Sequence, residues 1–309
     1  GSVCCARECN VSDSERGFHA LHGALIDARS GDTGTNPWVG DGAQRCSQYG
    51  LLASNGSIIE APNIALDDCD IGAHASSGST IKMHEPMVIG CRMGGYAFQA
   101  SKIEAVRVDA SNCTEAFIAF RSSSLAADEA IADGSGTGFR SEAASFISAK
   151  GATANGCTNG FHAVEDGTIS AAQSEAKDCS SFGYVATDGS HIGAPNSDAS
   201  GSNRGYEARH GCEINARSAV AHNCGERAFS CIDGGNMNVN GATATNAGAH
   251  GLTCRGGRVS ATGASVTNSV NSDFHVQNGG IIAAHNSTGE LYQPENTLTR
   301  NGIIFKETT

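Results

Sequence analysis

A small residue followed by an aromatic or aliphatic one returns along this chain at a nearly constant interval. The pairs are Gly17-Phe18, Gly50-Leu51, Gly72-Ala73, Gly95-Tyr96, Ala116-Phe117, Gly138-Phe139, Gly160-Phe161, Gly183-Tyr184, Gly205-Tyr206, Ala228-Phe229, Gly251-Leu252 and Asp273-Phe274. After one step of 33 residues, every interval is 21, 22 or 23. Between the pairs, polar and apolar residues alternate in short bursts. Phe161-His162-Ala163 points in, out and in, as a short strand does. Gly167 marks a turn, Thr168-Ile169-Ser170-Ala171 alternates again, Gln173-Ser174-Glu175-Ala176 leads to a third strand, and Cys179 closes the unit.

A constant period built from three short strands predicts an all-β fold. It is a right-handed, single-stranded parallel β-helix (a solenoid) of about twelve coils, stacked at about 4.8 Å. Leucine-rich repeats of similar length need several leucines per unit, and propellers need a period near 40. Gly, Ser, Thr and Asn throughout disfavour helices. The repeat occupies residues 17–285, with an insertion over 29–48 that holds Pro37 and Trp38, the one tryptophan. Residues 1–16 are expected to form an N-terminal remnant and the edge of the first coil. Gly1-Ser2 reads as a cloning remnant, so the true N-terminus is expected to be missing, and the uncapped first coil is where an upstream domain is expected. Residues 286–309, ending in the apolar Ile303-Ile304-Phe305, are expected to cap the last coil or pack against another copy, because open sheet edges need covering.

Composition sharpens this picture. With 40 Gly, 39 % hydrophobic residues and only 6 % aromatics, the chain can fill a narrow core but not a wide one. A net charge of −12 and the lack of any Lys/Arg cluster argue against nucleic acid. No apolar run approaches the roughly 18 residues of a membrane span. Seven of the 13 cysteines, Cys46, Cys69, Cys91, Cys113, Cys157, Cys179 and Cys224, share one position of the repeat, and Cys231 and Cys254 share another. Both columns read as small buried hydrophobes in a protein folded in a reducing cytoplasm, not as metal ligands. Cys4, Cys5 and Cys9 stand outside the columns. No cofactor is expected.

The unit Gly-aromatic-x-Ala, then Gly-Ser-x-Ile-x-Ala, then Ala-x-Ala-x-x-Cys is clearest over residues 156–194 and runs through residues 17–285. It resembles the β-helical repeats of bacteriophage tailspike and tail-fibre proteins. The closing stretch Asn296-Thr297-Leu298-Thr299-Arg300-Asn301-Gly302-Ile303-Ile304-Phe305 is similar to the C-terminal endings of such proteins. The resemblance implies a homotrimer in the virion tail, made in the bacterial cytoplasm and joined to an upstream virion-attachment domain or tail protein. It also implies that the ligand is a bacterial surface glycan. It supplies no catalytic motif. Related repeats occur in polysaccharide lyases, epimerases and adhesins. A glycan depolymerase (hydrolase or lyase) and a structural shaft or adhesin therefore stand beside the receptor-binding reading.

Equivalent positions of successive coils form stripes. One outward stripe on the second strand runs Asp27, Glu60, Lys82, Glu104. Carboxylates about 5 Å apart suit retaining glycosidases, and those about 6.5–9.5 Å apart suit inverting ones. Asp27, Glu60 and Glu104 are thus the candidate catalytic carboxylates, and Lys82 and Trp38 the candidate substrate contacts, with Trp38 stacking on a sugar face. The commoner alternative is a surface ladder in which Lys82 neutralises its glutamates. A turn stripe of Arg121, Glu165, Asp188, His210 and Asp233 offers acids with a histidine between Asp188 and Asp233, but reads as a product of turn preferences in preference to a catalytic site. His19, His74, His162 and His275 share one outward position and read as exposed surface histidines. Asp67-Asp68-Asp70 reads as an acidic turn in preference to a Ca²⁺ site.

Overall fold

The computed structural model describes residues 2–7, 9–29, 42–292 and 302–305. Trp38, Pro37 and most of the 29–48 insertion lie outside the described residues. The fold is an all-β parallel solenoid with no helix among the described residues, and its two compact units are residues 1–154 and 155–309.

In residues 1–154 the first sheet comprises Arg16–Leu21, Tyr49–Ser54, Ile71–Ser76, Met93–Phe98, Glu115–Phe120 and Thr137–Glu142. The second runs from Val3–Cys5 through Leu25–Asp27, Ile58–Glu60, Thr80–His84, Lys102–Val106 and Ser124–Ala126 to Phe146–Ser148. A third side is made by single-residue bridges from Asn10–Gly42 to Ile131–Thr153. Residues 155–309 repeat the plan, with seven first-sheet strands from Asn159–Val164 to Leu291–Tyr292 and seven second-sheet strands from Thr168–Ser170 to Ile303–Phe305. The first sheet thus has 13 strands against about twelve coils expected. The extra turn comes from the C-terminal segment: Leu291 and Tyr292 pair in parallel with Phe274 and His275, and Ile303–Phe305 with Ile281–Ala283.

The corners explain much of the polar composition. In the coil that opens at Tyr49, Asn55, Gly56, Asn63 and Asp68 all take positive φ near 55–75°. Asn and Asp tolerate this left-handed conformation better than other side-chain-bearing residues, which is why they crowd the turns. Arg121, Glu165, Asp188, His210 and Asp233 are corner residues of the same kind, with φ between 48° and 57°.

Inside, each sheet contributes a column. Ile59, Ile81 and Ile103 are fully buried on the second sheet, and burial of such a side chain stabilises by about 1.5–3 kcal/mol. On the first sheet of residues 155–309, Phe161, Tyr184, Tyr206 and Phe229 stack at centroid separations of 4.8, 4.6 and 5.1 Å. Both buried tyrosines find a hydroxyl partner: Ser174 Oγ lies 2.8 Å from Tyr184 Oη, and Ser197 Oγ 2.8 Å from Tyr206 Oη. The cysteines of both columns are buried. Where the main column lacks a cysteine, serine serves: Ser135 Oγ accepts from Cys113 N–H at 3.1 Å, and Ser202 Oγ from Cys179 N–H at 3.0 Å.

One coil departs from the phase expected of it. Phe117 pairs with Gly95, and Ile118 with Tyr96. The inward position of this coil is therefore Gly95, and Tyr96 faces outward. A one-residue slip exchanges the two faces of a strand, so the phase error moves one aromatic from core to surface.

Candidate functional site

The structure brings Asp27, Glu60, Lys82 and Glu104 into direct register on the second sheet of residues 1–154. All four are engaged. Arg7 donates to Asp27 Oδ2 at 2.7 Å, and Arg29 bridges Asp27 at 2.9 Å and Glu60 at 2.9 Å. Lys82 Nζ donates to the other Glu60 oxygen at 2.9 Å, and Lys102 pairs with Glu104 at 2.6 Å. Arg29, Glu60, Pro62, Lys82 and His84 line a depression of about 240 Å³.

The electrostatics of this ladder limit its chemistry. The Arg7 guanidinium holds the Asp27 carboxyl below its ordinary range, and Lys82, then Arg29, do the same for Glu60. A glycosidase acid must keep its proton near neutrality, which requires a raised pKa. Asp27 and Glu60 are pushed the other way. They fit ion-pair rungs, or at most a base or nucleophile that would need its acid elsewhere. Trp38 lies outside the described residues.

A second feature of residues 1–154 escaped the sequence reading. Tyr49, His74, Tyr96, Phe98 and Phe120 form a continuous outward row on the first sheet, with neighbouring ring centroids 5.4, 5.0, 5.8 and 5.8 Å apart. Arg121 places its guanidinium 5.3 Å from the Phe98 centroid and 5.2 Å from that of Phe120. Leu52, Ile71 and Ile118 also face outward here yet are buried by their neighbours. His74 is not the exposed histidine expected of it. Burial alone pushes its pKa down to about 4, and neither ring nitrogen finds a hydrogen-bond partner among the described residues. The signal in the sequence was the shared outward position of His19 and His74; the phase error at Tyr96 hid the rest of the row.

The first-sheet face of residues 155–309 is charged instead. Glu207 is fully buried between Arg204 and Arg209, and both arginines pair with it. Glu226 takes Arg204 at 2.6 Å and Arg227 at 3.0 Å. Next in register to Glu207 come Ser230 and Thr253. Glu207 Oε2, Ser230 Oγ and Thr253 Oγ1 find no hydrogen-bond partner among the described residues. Alongside them, His250 stacks on His275 at 4.3 Å, and burial pushes His250 down to about 4. Of the corner stripe, His210 Nδ1 lies 3.1 Å from an Asp188 oxygen, and Arg255 pairs with Asp233 at 3.4 Å.

Among the described residues, no group of three or more His, Cys, Asp or Glu is placed to hold a metal ion. Asp67 serves the turn: it accepts from the Ile89 N–H at 3.0 Å and from Gln44 at 3.1 Å. Asp70 pairs with Arg92. Cys4, Cys5 and Cys9 are exposed free thiols. No protein-family model matches the chain, and no curated protein matches its sequence.

Proposed function

We propose that this protein recognises a bacterial surface polysaccharide through its outward sheet faces, as the receptor-binding part of a phage tail that acts as a homotrimer. The observation that carries the recognition reading is the outward row Tyr49, His74, Tyr96, Phe98 and Phe120. Half-buried rings stacked along a rigid sheet present a ridge of apolar ring edges at fixed intervals, with hydroxyls at Tyr49 and Tyr96, which can pack against the apolar C–H faces of successive sugars in a polymer. The rings are pre-positioned by the ladder beneath them, so little order is lost on binding. Receptor binding is favoured over glycoside hydrolysis at the carboxylate ladder because Asp27 and Glu60, both held ionised by cationic neighbours, are unsuited to the proton-donor role.

The test is calorimetric titration of the protein with purified surface polysaccharides, with polymer size and protein mass followed in parallel. Retention of a polysaccharide without loss of polymer size, weakened tenfold or more by Tyr96→Ala or Phe120→Ala, is the expected result. Falling polymer size would establish the depolymerase instead. If Tyr96→Ala lowers the mass of the assembly and leaves affinity intact, the aromatic row is an interface between copies and the recognition reading is lost. A monomer by light scattering would remove the trimer.

A further inference from the structure

Three successive corners in residues 155–309 are Gly-Gly: Gly234-Gly235, Gly256-Gly257 and Gly279-Gly280. The second glycine of each is imposed by packing. A Cβ there would lie 2.7 Å from the Ala208 carbonyl oxygen, 2.6 Å from that of Gly235 and 2.5 Å from that of Cys254, respectively. The first glycine takes φ of +85°, +66° and +74°, and at Gly279 an added Cβ would meet nothing within 4 Å. A bare strip therefore runs along the edge of the second sheet. It opens a depression of about 410 Å³ that continues into another of about 310 Å³ through the shared residues Asn236, Arg258 and Ile281.

The chemistry of this groove is selective. Glu213, Asn236, Arg258 and Ile281 occupy one outward row in register, and Asn238 and Ser260 the next. Arg204, Arg209, Arg227 and Arg255 are all matched to carboxylates. Arg258 is exposed in the groove and has no ion-pair partner among the described residues, and the Asn236 amide has no hydrogen-bond partner among them. Glu213, two coils from Arg258, would repel an anion at its own end of the groove. An unpaired planar fork of donors matches a carboxylate bidentately, and a neighbouring free amide can both donate to and accept from hydroxyls.

We infer that this groove binds a carboxylate-bearing saccharide, with the sugar acid on Arg258, a hydroxyl on Asn236 and the sugar ring lying over the glycine strip and Ile281. The inference rests on the glycan-recognition reading and gives it a ligand class, an acidic polysaccharide. It concerns residues 155–309, whereas the aromatic row belongs to residues 1–154, so the two are separable by mutation.

The probes are two polyuronates (polygalacturonate and alginate), polysialate, and neutral dextran as control, each titrated into the intact protein at low and high salt. At least one acidic polymer is expected to bind, more weakly as salt rises. Arg258→Gln should weaken that binding tenfold or more, Arg258→Lys less, and Asn236→Tyr should block the groove. Circular dichroism and the urea midpoint establish that each variant is folded. Unchanged acidic-polymer binding in both Arg258→Gln and Asn236→Tyr overturns the inference. If binding is instead lost in Tyr96→Ala alone, the inference falls and the aromatic reading stands. Failure of the wild type to bind any of these acidic polymers overturns it outright, and retention of neutral polymer at that point leaves glycan recognition intact.

Discussion

The His74 imidazole stacks on the Tyr96 ring with centroids 5.0 Å apart and planes 25° from parallel, and Tyr49 covers it from the coil before at 5.4 Å. A histidine placed between two rings, with both nitrogens buried and without a hydrogen-bond partner among the described residues, is costly to protonate. Its pKa falls from an ordinary 6.5 to about 4 because burial penalises the charged form. The unfolded chain therefore binds a proton that the folded chain refuses between those values. Stability from this site is full above about pH 6.5 and declines as pH falls to about 4, with each pKa unit worth about 1.4 kcal/mol. His74→Phe should keep the stack and remove the titration. The urea-derived stability of the variant relative to wild type should rise by up to about 3 kcal/mol between pH 7 and pH 4. A difference independent of pH would mean that His74 is hydrated and titrates normally.

The serine ladder at the first corner offers a sharper structural test. Ser57, Ser79 and Ser101 are buried, and each backbone N–H donates to the hydroxyl of the serine one coil on, at 3.2, 3.2 and 3.3 Å. Ser79→Ala would leave the Ser57 N–H without an acceptor. A buried donor stranded in this way costs about 1–3 kcal/mol. Ser79→Cys should cost less, since Cys212 already fills the equivalent place and its sulfur accepts from Ser190 N–H at 3.2 Å. Urea midpoints of the two variants check this, and equal losses would refute the acceptor role.

How far the sequence discloses the molecule can be read from Tyr96. A period of 22 residues with small, apolar and polar places fixes which residues share a stripe, because parallel coils stack in register. The stripe from Asp27 to Glu104 was legible for that reason, and so was the inner row from Phe161 to Phe229. Glycine blurs the phase wherever two fall together. At Gly94-Gly95 either could precede the core residue, and the apparent aromatic partner, Tyr96, belongs to the opposite face. The salt bridges from Arg7 and Arg29 were less legible, since both arginines sit outside the strand repeat. The groove beside Gly256 was hidden for another reason: it is defined by side chains that are missing.

Thr253 carries a hydroxyl at 3 % exposure with no hydrogen-bond partner among the described residues. Removing an unsatisfied buried polar group while conserving shape is neutral to stabilising. Thr253→Val should therefore raise the unfolding free energy by about 1 kcal/mol, visible as a higher urea midpoint at an unchanged slope. A loss of stability would show that the hydroxyl is satisfied by water.

Thiol accessibility divides the cysteines sharply. Cys4, Cys5 and Cys9 are exposed, and the other ten of the 13 are buried. The nucleophile in disulfide exchange is the thiolate, and burial pushes the Cys179 thiol up to about 11 and that of Cys224 up to about 12. Near pH 8 these groups are overwhelmingly protonated as well as shielded. An aromatic disulfide reagent should titrate three thiols quickly in the native protein and 13 after unfolding in urea. The slow phase should follow the unfolding rate, not the reagent concentration, because the columns open only when coils separate. Fast modification of more than three would mean that the cysteine columns breathe independently of global unfolding, and alanine at Cys179 or Cys224 would then cost little, where a packed column should lose about 1 kcal/mol or more on losing its sulfur.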